Sequence, residues 1–161
     1  MLEDNPSLDD TGKRYVQQIV SGASRLDTLL DQLAALGRIA EGRLAPDIMH
    51  CSLRETLEQA QIPVEVPQDI TVRADPEWLV SAIQDVAASL QYDDTVQLRM
   101  HTTHSQHAAQ IHLSVPPGTP MVDTDSGAAS IGITLARARL MAMRGDLQGA
   151  ESDVVVTIPR G

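Results

Sequence analysis

The chain has 161 residues, a formal net charge of −10 at pH 7 and a single cysteine, Cys51. This acidic balance argues against nucleic-acid binding, which draws on clustered Lys and Arg, and against contact with an anionic membrane surface. One cysteine excludes an intramolecular disulfide framework, and no stretch approaches the roughly 20 apolar residues of a membrane span. The acidic, polar start does not resemble a signal peptide, so we expect a cytoplasmic protein.

One long helix, from about Leu8 to Arg43, is predicted at the start of the chain. Apolar residues recur three and four positions apart along it, which is the spacing of a continuous helical seam. A helix of about 35 residues would be about 52 Å long, more than one small domain covers. We therefore expect a second copy of the chain to pair with this seam in a homodimer. The seam consists of Val16, Ile19, Ala23, Leu26, Leu30 and Leu33, and Leu29 and Leu36 are predicted to widen it.

The residue pattern over positions 46–161 predicts a second unit that contains both helices and strands. Ser52 and Asp75 stand where helix N-caps are favoured, and two apolar alternations flank a polar turn at Ser105 as in a hairpin. His50 and Cys51 are assigned to the linker that precedes this unit. The predicted helices span residues 52–60, 75–90 and 131–143, and the predicted strands 70–73, 96–102, 109–115, 147–150 and 154–158. The order predicts an α+β fold with an antiparallel or mixed sheet and helices on one face.

Several motifs, taken in this order, resemble the core of sensor histidine kinases. The segment YVQQIVSGASRLDTLLDQLAALGRIAEGRL is similar to the second helix of the family's dimerisation hairpin. VRADPEWLVSAIQDVAASLQY is similar to its strand and N-box helix, SVPPGTP to its first glycine box, and SIGITLARARLMAMRGDL to its second. The resemblance implies a partial dimerisation domain over residues 1–45 and a GHKL-type ATPase-like domain, an α/β sandwich, over residues 46–161. It also implies a context of two-component signalling.

The positions that hold ATP and magnesium in that family carry other residues here. Asp85 and Ser89 replace the two N-box asparagines, and Ser114 stands for the aspartate that reads adenine. Serine is too short to hold magnesium as asparagine does, and losing a buried acceptor for the adenine amine is costly. The resemblance therefore implies a vestigial nucleotide site without catalytic residues. Its members are Asp85, Ser89, Ser114, Gly118 and Gly132.

Two further features of the family are reduced. The loop predicted at residues 121–129 is much shorter than the family's lid, and it carries Asp123 and Asp125 but no Lys or Arg. A triphosphate would meet negative charge there. The long helix contains no histidine, whereas the family's phosphoacceptor histidine belongs to the dimerisation hairpin.

We therefore expect a pseudokinase or adaptor that needs no cofactor and binds a histidine kinase or a response regulator. One alternative is a divergent histidine kinase in which Asp85 and Ser89 still hold ATP through magnesium. Another is a histidine phosphotransferase that uses the same fold, with His50 as its phosphorylated residue.

Four histidines near the predicted hairpin turn raise the question of a metal site. Clustered histidines bind zinc, but here no cysteine or carboxylate partners accompany them. We favour a solvated hairpin tip and expect no metal. The four are His101, His104, His107 and His112.

Overall fold

The computed structural model describes residues 10–90, 97–116, 127–150 and 153–161. The described helices are α1 (Asp10–Ala40), α2 (Leu53–Glu58), α3 (Pro76–Leu90) and α4 (Gly127–Ala142). The described strands are β1 (Met49–Ser52), β2 (Val64–Glu65), β3 (Thr71–Ala74), β4 (Arg99–His104), β5 (Ala108–Ser114), β6 (Asp146–Ala150) and β7 (Asp153–Pro159).

Five of these strands form one mixed sheet in the order β2-β4-β5-β7-β6. β2 runs parallel to β4, and the other neighbouring pairs are antiparallel. β1 and β3 form a separate antiparallel pair, which is joined to the chain end after β7 by a bridge between Val72 and Arg160. The predicted α+β class is confirmed.

The two faces of the five-stranded sheet differ in what covers them. Along β5, Ile111 and Leu113 are fully buried, whereas Gln110 and His112 on the alternate positions are not. Since successive strand residues point to opposite faces, we call the buried side the inner face and the other side the outer face. Helices α2, α3 and α4 contribute to the same core cluster as the inner-face residues. The helices thus share one face, as predicted.

Side-chain caps fix the starts of α2 and α3. The Ser52 hydroxyl accepts a hydrogen bond from the Glu55 N–H at 3.3 Å, and the Asp75 carboxylate accepts one from the Glu77 N–H at 3.0 Å. These bonds satisfy backbone donors that a first helical turn leaves unpaired. The second oxygen of Asp75 accepts from the Asp47 N–H at 2.9 Å, which holds the segment between α1 and β1 against the start of α3.

Two segments differ from the prediction. His50 and Cys51 are not in a linker: they belong to β1 and lie opposite Arg73 and Val72 of β3. A strand of four residues is too short to show a clear alternation, so sequence periodicity missed it. Helix α4 begins at Gly127, four residues before the predicted start, because its small first residues carry no apolar stripe.

The end of α4 provides a stability prediction. Arg144 has a φ of 60°, its N–H donates to the Met141 carbonyl, and the Gly145 N–H donates to the Leu140 carbonyl at 2.7 Å. This is a Schellman cap, whose left-handed position favours glycine. We expect Arg144→Gly to raise the free energy of unfolding by about 0.5 to 1 kcal/mol, measured by urea denaturation. Arg137→Gly, within the helix, is the control and should lower it; a loss at both positions would contradict the assigned cap.

Candidate functional site

The predicted nucleotide site centres on the packing of α3 against α4. Asp85 and Ser89 lie one turn apart on α3 and are half-buried, and Gly132 on α4 is buried. A Cβ added to Gly132 would lie 3.9 Å from the Asp85 backbone oxygen and 4.0 Å from the Asp85 Cβ. The fold therefore brings Asp85 and Gly132 together, with Ser89 on the same helix.

Asp85 is already paired within the protein. Its Oδ2 accepts a hydrogen bond from Arg139 Nη1 of α4 at 2.9 Å, and the side chains are 21% and 19% exposed, respectively. Burial raises the pKa of the Asp85 carboxyl above its ordinary value, and the attraction of Arg139 offsets that effect in part. A magnesium ion at this carboxylate would have to displace the guanidinium, or to share the anion with it.

Ser89 is satisfied by its own helix. Its hydroxyl donates to the Val86 carbonyl at 2.6 Å, a short bond that turns the side chain back along α3. Such back-bonding to a preceding carbonyl is common for serine inside helices. The next residue, Leu90, belongs to the core and is 3% exposed. In this arrangement the Ser89 hydroxyl proton is not available to a ligand.

A residue that the sequence analysis missed lies against this site. Gln32 of α1 places its Nε2 at 3.6 Å from the Cβ position of Gly132. Its Oε1 is buried and has no hydrogen-bond partner among the described residues. The sequence indicates that Gln32 lies on a packed face of α1, because apolar residues recur around it at helical spacing. These residues are Leu29, Leu36 and Ile39.

This second face of α1 packs along α4. Leu29, Leu36 and Ile39 are half-buried, whereas the predicted seam is exposed. Leu135 of α4 is 2% exposed although it does not belong to the main core cluster, as expected for a residue covered by α1. The prediction that Leu29 and Leu36 widen the dimer seam is therefore corrected: both residues turn toward the domain.

The predicted seam lies free on the surface of the single chain. Five of its members are between 48% and 71% exposed, and Ala23 is exposed as well. Exposed apolar residues in such number on one stripe are typical of an interaction surface. The five are Val16, Ile19, Leu26, Leu30 and Leu33.

Ser114 does not join the other predicted site residues. It lies opposite Arg99 on β4 and Asp153 on β7, on the outer face, while α3 and α4 cover the inner face. The residue at this strand end that packs toward the core is Val115. The strand alternation thus separates the Ser114 side chain from Asp85 and Gly132.

Three further residues that the sequence singled out lie outside the described residues: Gly118, Asp123 and Asp125. The predicted loop over 121–129 is shorter than expected, because residues 127–129 already belong to α4.

The histidines do not assemble into a metal site in the described part of the chain, where no group of three or more His, Cys, Asp or Glu residues is arranged to hold an ion. His101 and His112 instead stack on the outer face. His50 lies on β1 near the chain end, where a Cβ added to Gly161 would lie 2.6 Å from the imidazole Nδ1. Among the described helices, none has the length and apolarity to cross a membrane.

Comparison with known proteins gives similarity in structure but not in sequence. No family model matches the chain, and no curated protein matches it. The histidine kinase AdeS of Acinetobacter baumannii superposes with a TM-score of 0.61 at 14% identity, over 95% of this chain and 85% of that one. Full-length ShkA, solved in complex with AMPPNP, gives a TM-score of 0.64 at 14% identity, over 98% of this chain and 41% of that one.

The ATP binding domain of PrrB from Mycobacterium tuberculosis superposes with a TM-score of 0.53 at 13% identity, over 71% of this chain and 98% of that one. At such identities the likeness concerns the fold. It agrees with the resemblance that the sequence motifs predicted. The chain has the fold of a histidine kinase core.

Proposed function

We propose that this chain is a two-component signalling protein that acts by binding, as a pseudokinase or adaptor, and not by phosphoryl transfer. The observation that carries the proposal is that the charged group of the predicted nucleotide site is engaged inside the protein. Asp85 accepts a hydrogen bond from Arg139 in an ion pair. A metal ion would have to compete with Arg139 for this carboxylate. The short Ser89 side chain is turned back toward its own helix by its bond to the Val86 carbonyl.

The chemistry of magnesium supports this proposal. The ion needs oxygen ligands in a near-octahedral shell, and it binds ATP in such sites through one or two protein side chains. Here the Asp85 carboxylate is paired with a guanidinium, and the Ser89 hydroxyl lies on a short side chain that is turned back to its own helix. Arg139 would attract phosphate, but it is neutralised by the same carboxylate that it pairs with.

The position of α1 supports it as well. Gln32 lies against Gly132, the glycine that the family resemblance places beside the nucleotide. Leu29, Leu36 and Ile39 close the same side of α4. A nucleotide in this place would have to displace part of the helix, at the cost of exposing Leu135.

The exposed seam supplies the binding surface of the proposed adaptor. We infer that two copies pair through Val16, Ile19, Leu26, Leu30 and Leu33, and that the assembled dimer presents its domains to a histidine kinase or a response regulator. The net charge of −10 does not favour a nucleic-acid partner. We place the protein in the cytoplasm.

Calorimetric titration with ADP and with a non-hydrolysable ATP analogue, each with magnesium, tests the proposal. We expect no saturable heat at ligand concentrations up to about 1 mM, a Kd that corresponds to only about −4 kcal/mol of binding free energy. The double variant Asp85→Asn/Ser89→Asn restores the residues of the family and serves as the matched control.

Saturable micromolar binding by the unaltered chain would overturn the proposal. If Asp85→Ala then abolished that binding, the chain would be a divergent ATP-binding kinase with ATP and magnesium as cofactors. Gain of binding in the double variant alone would support the proposal, because it would show that the pocket exists and that the side chains prevent its use.

A further inference from the structure

A cleft of about 960 Å³ opens where β2 meets β4. β2 pairs with β4 only at Val64 opposite Met100 and at Glu65 opposite His101. The volume lies in the range of small-molecule sites. Its lining includes Ile62, Val64, Glu65, Arg99, His101 and Pro116.

This cleft shares only Ser114 with the described members of the predicted nucleotide site. Neither Asp85 nor Ser89 nor Gly132 lines it. Its polar side chains stand on the outer face of the sheet, whereas α3 and α4 cover the inner face. A ligand here would therefore meet none of the site residues on α3 and α4.

One cation and one anion line the cleft, and they do not pair. Arg99 and Glu65 are both exposed. The ion pairs found among residues 10–90, 97–116, 127–150 and 153–161 join Arg43 to Glu41 and Arg139 to Asp85. The charges at the cleft are therefore open to a ligand that carries both signs.

A flat aromatic surface adjoins these charges. The rings of His101 and His112 stack with their centroids 4.6 Å apart and their planes 5° from parallel. Glu65, His101 and His112 lie side by side on β2, β4 and β5. One face of the His101 ring stacks on His112. The other face of the His101 ring is directed toward Glu65 and the cleft.

The rest of the stack is held in place. His112 Nε2 lies 3.1 Å from Thr103 Oγ1. Burial, followed by the proximity of His101, lowers the pKa of His112. The lowered pKa favours the neutral form of the His112 ring, which stacks against His101.

We propose that the cleft binds a free amino acid with a flat aromatic side chain. The ring lies on His101, the carboxylate meets Arg99, and the ammonium meets Glu65. This site is independent of the proposed loss of nucleotide binding.

The test titrates the full chain with L-tryptophan, L-phenylalanine and L-histidine, followed by backbone amide NMR. We expect saturable shifts confined to β2, β4 and the end of β5, for at least one of the three. Arg99→Gln and Glu65→Gln should each weaken that ligand about fivefold, the upper range for an exposed charge pair. Arg137→Gln, an exposed arginine on α4, is the matched control and should change nothing.

Ligand analogues test the contribution of each charge separately. The amide of the same amino acid lacks the carboxylate, so Arg99→Gln should not change its affinity. The deaminated acid lacks the ammonium group, so Glu65→Gln should not change its affinity. The substituted side chains are exposed, so the variants should remain folded. Absence of saturable shifts with all three amino acids, shifts centred elsewhere, or equal losses in the variants and the control would overturn the proposal.

Discussion

Leu26→Asp should convert the proposed dimer into a folded monomer. Leu26 is 57% exposed in the single chain, so an aspartate there costs the monomer little. In a paired seam the same change would bury two carboxylates of like charge against apolar side chains, at a cost of several kcal/mol. Light scattering after size-exclusion chromatography would measure the mass, and circular dichroism the retained helix content.

Ser24→Asp is the control for that experiment. Ser24 is exposed on the same helix, about 160° around the axis from Leu26 at 100° per residue, so the same charge enters outside the seam. We expect this variant to remain a dimer. An unaltered chain that is monomeric at high concentration, or a Leu26→Asp variant that stays dimeric, would show that the seam is not the dimer interface.

The sequence predicted much of the fold because long periodic segments carry their own signal. The seam of α1, the stripe of α3 and the alternation of β4 and β5 all repeat over several turns or pairs of residues. The caps at Ser52 and Asp75 also lie where their residue types predicted. In each of these cases the information is local, and a single stretch of chain contains it.

The candidate site was less predictable because its geometry depends on which elements meet. Nothing near Asp85 in the sequence indicates Arg139, which lies 54 positions away and forms its ion pair. Gln32 is farther still from Gly132, and it interrupts an otherwise apolar face. Ser114 was grouped with Asp85 by a sequence motif, which carries no information about the face of the strand on which each side chain lies.

The two faces of α1 give the proposed adaptor a simple organisation. One face holds Leu29, Gln32 and Leu36 against α4, and the adjacent face leaves Leu26 and Leu30 exposed. Because the faces do not overlap, a second copy can pair with the seam while each domain remains packed on its own helix. The proposed dimer therefore does not require α1 to separate from α4.

Gly145→Ala should destabilise the protein strongly, while Gly132→Ala should not. A Cβ at Gly145 would lie 2.5 Å from the Thr157 carbonyl oxygen and 3.2 Å from that of Leu140. Both neighbours are backbone atoms of packed elements, so the clash cannot be relieved by a side-chain rotation. We expect a loss of about 3 kcal/mol in the free energy of unfolding, the upper range for overpacking, and a fall in Tm of about 10 °C.

At Gly132 the nearest atom to an added Cβ is Gln32 Nε2 at 3.6 Å, an ordinary contact with a flexible side chain. Alanine is favoured over glycine inside a helix by about 1 kcal/mol, so Gly132→Ala should leave Tm unchanged or raise it slightly. Thermal unfolding of both variants measures the difference. A fall at Gly132 as large as that at Gly145 would mean that the contact between α1 and α4 is tighter than the structure shows. A rise would mean that packing does not require a glycine at this position.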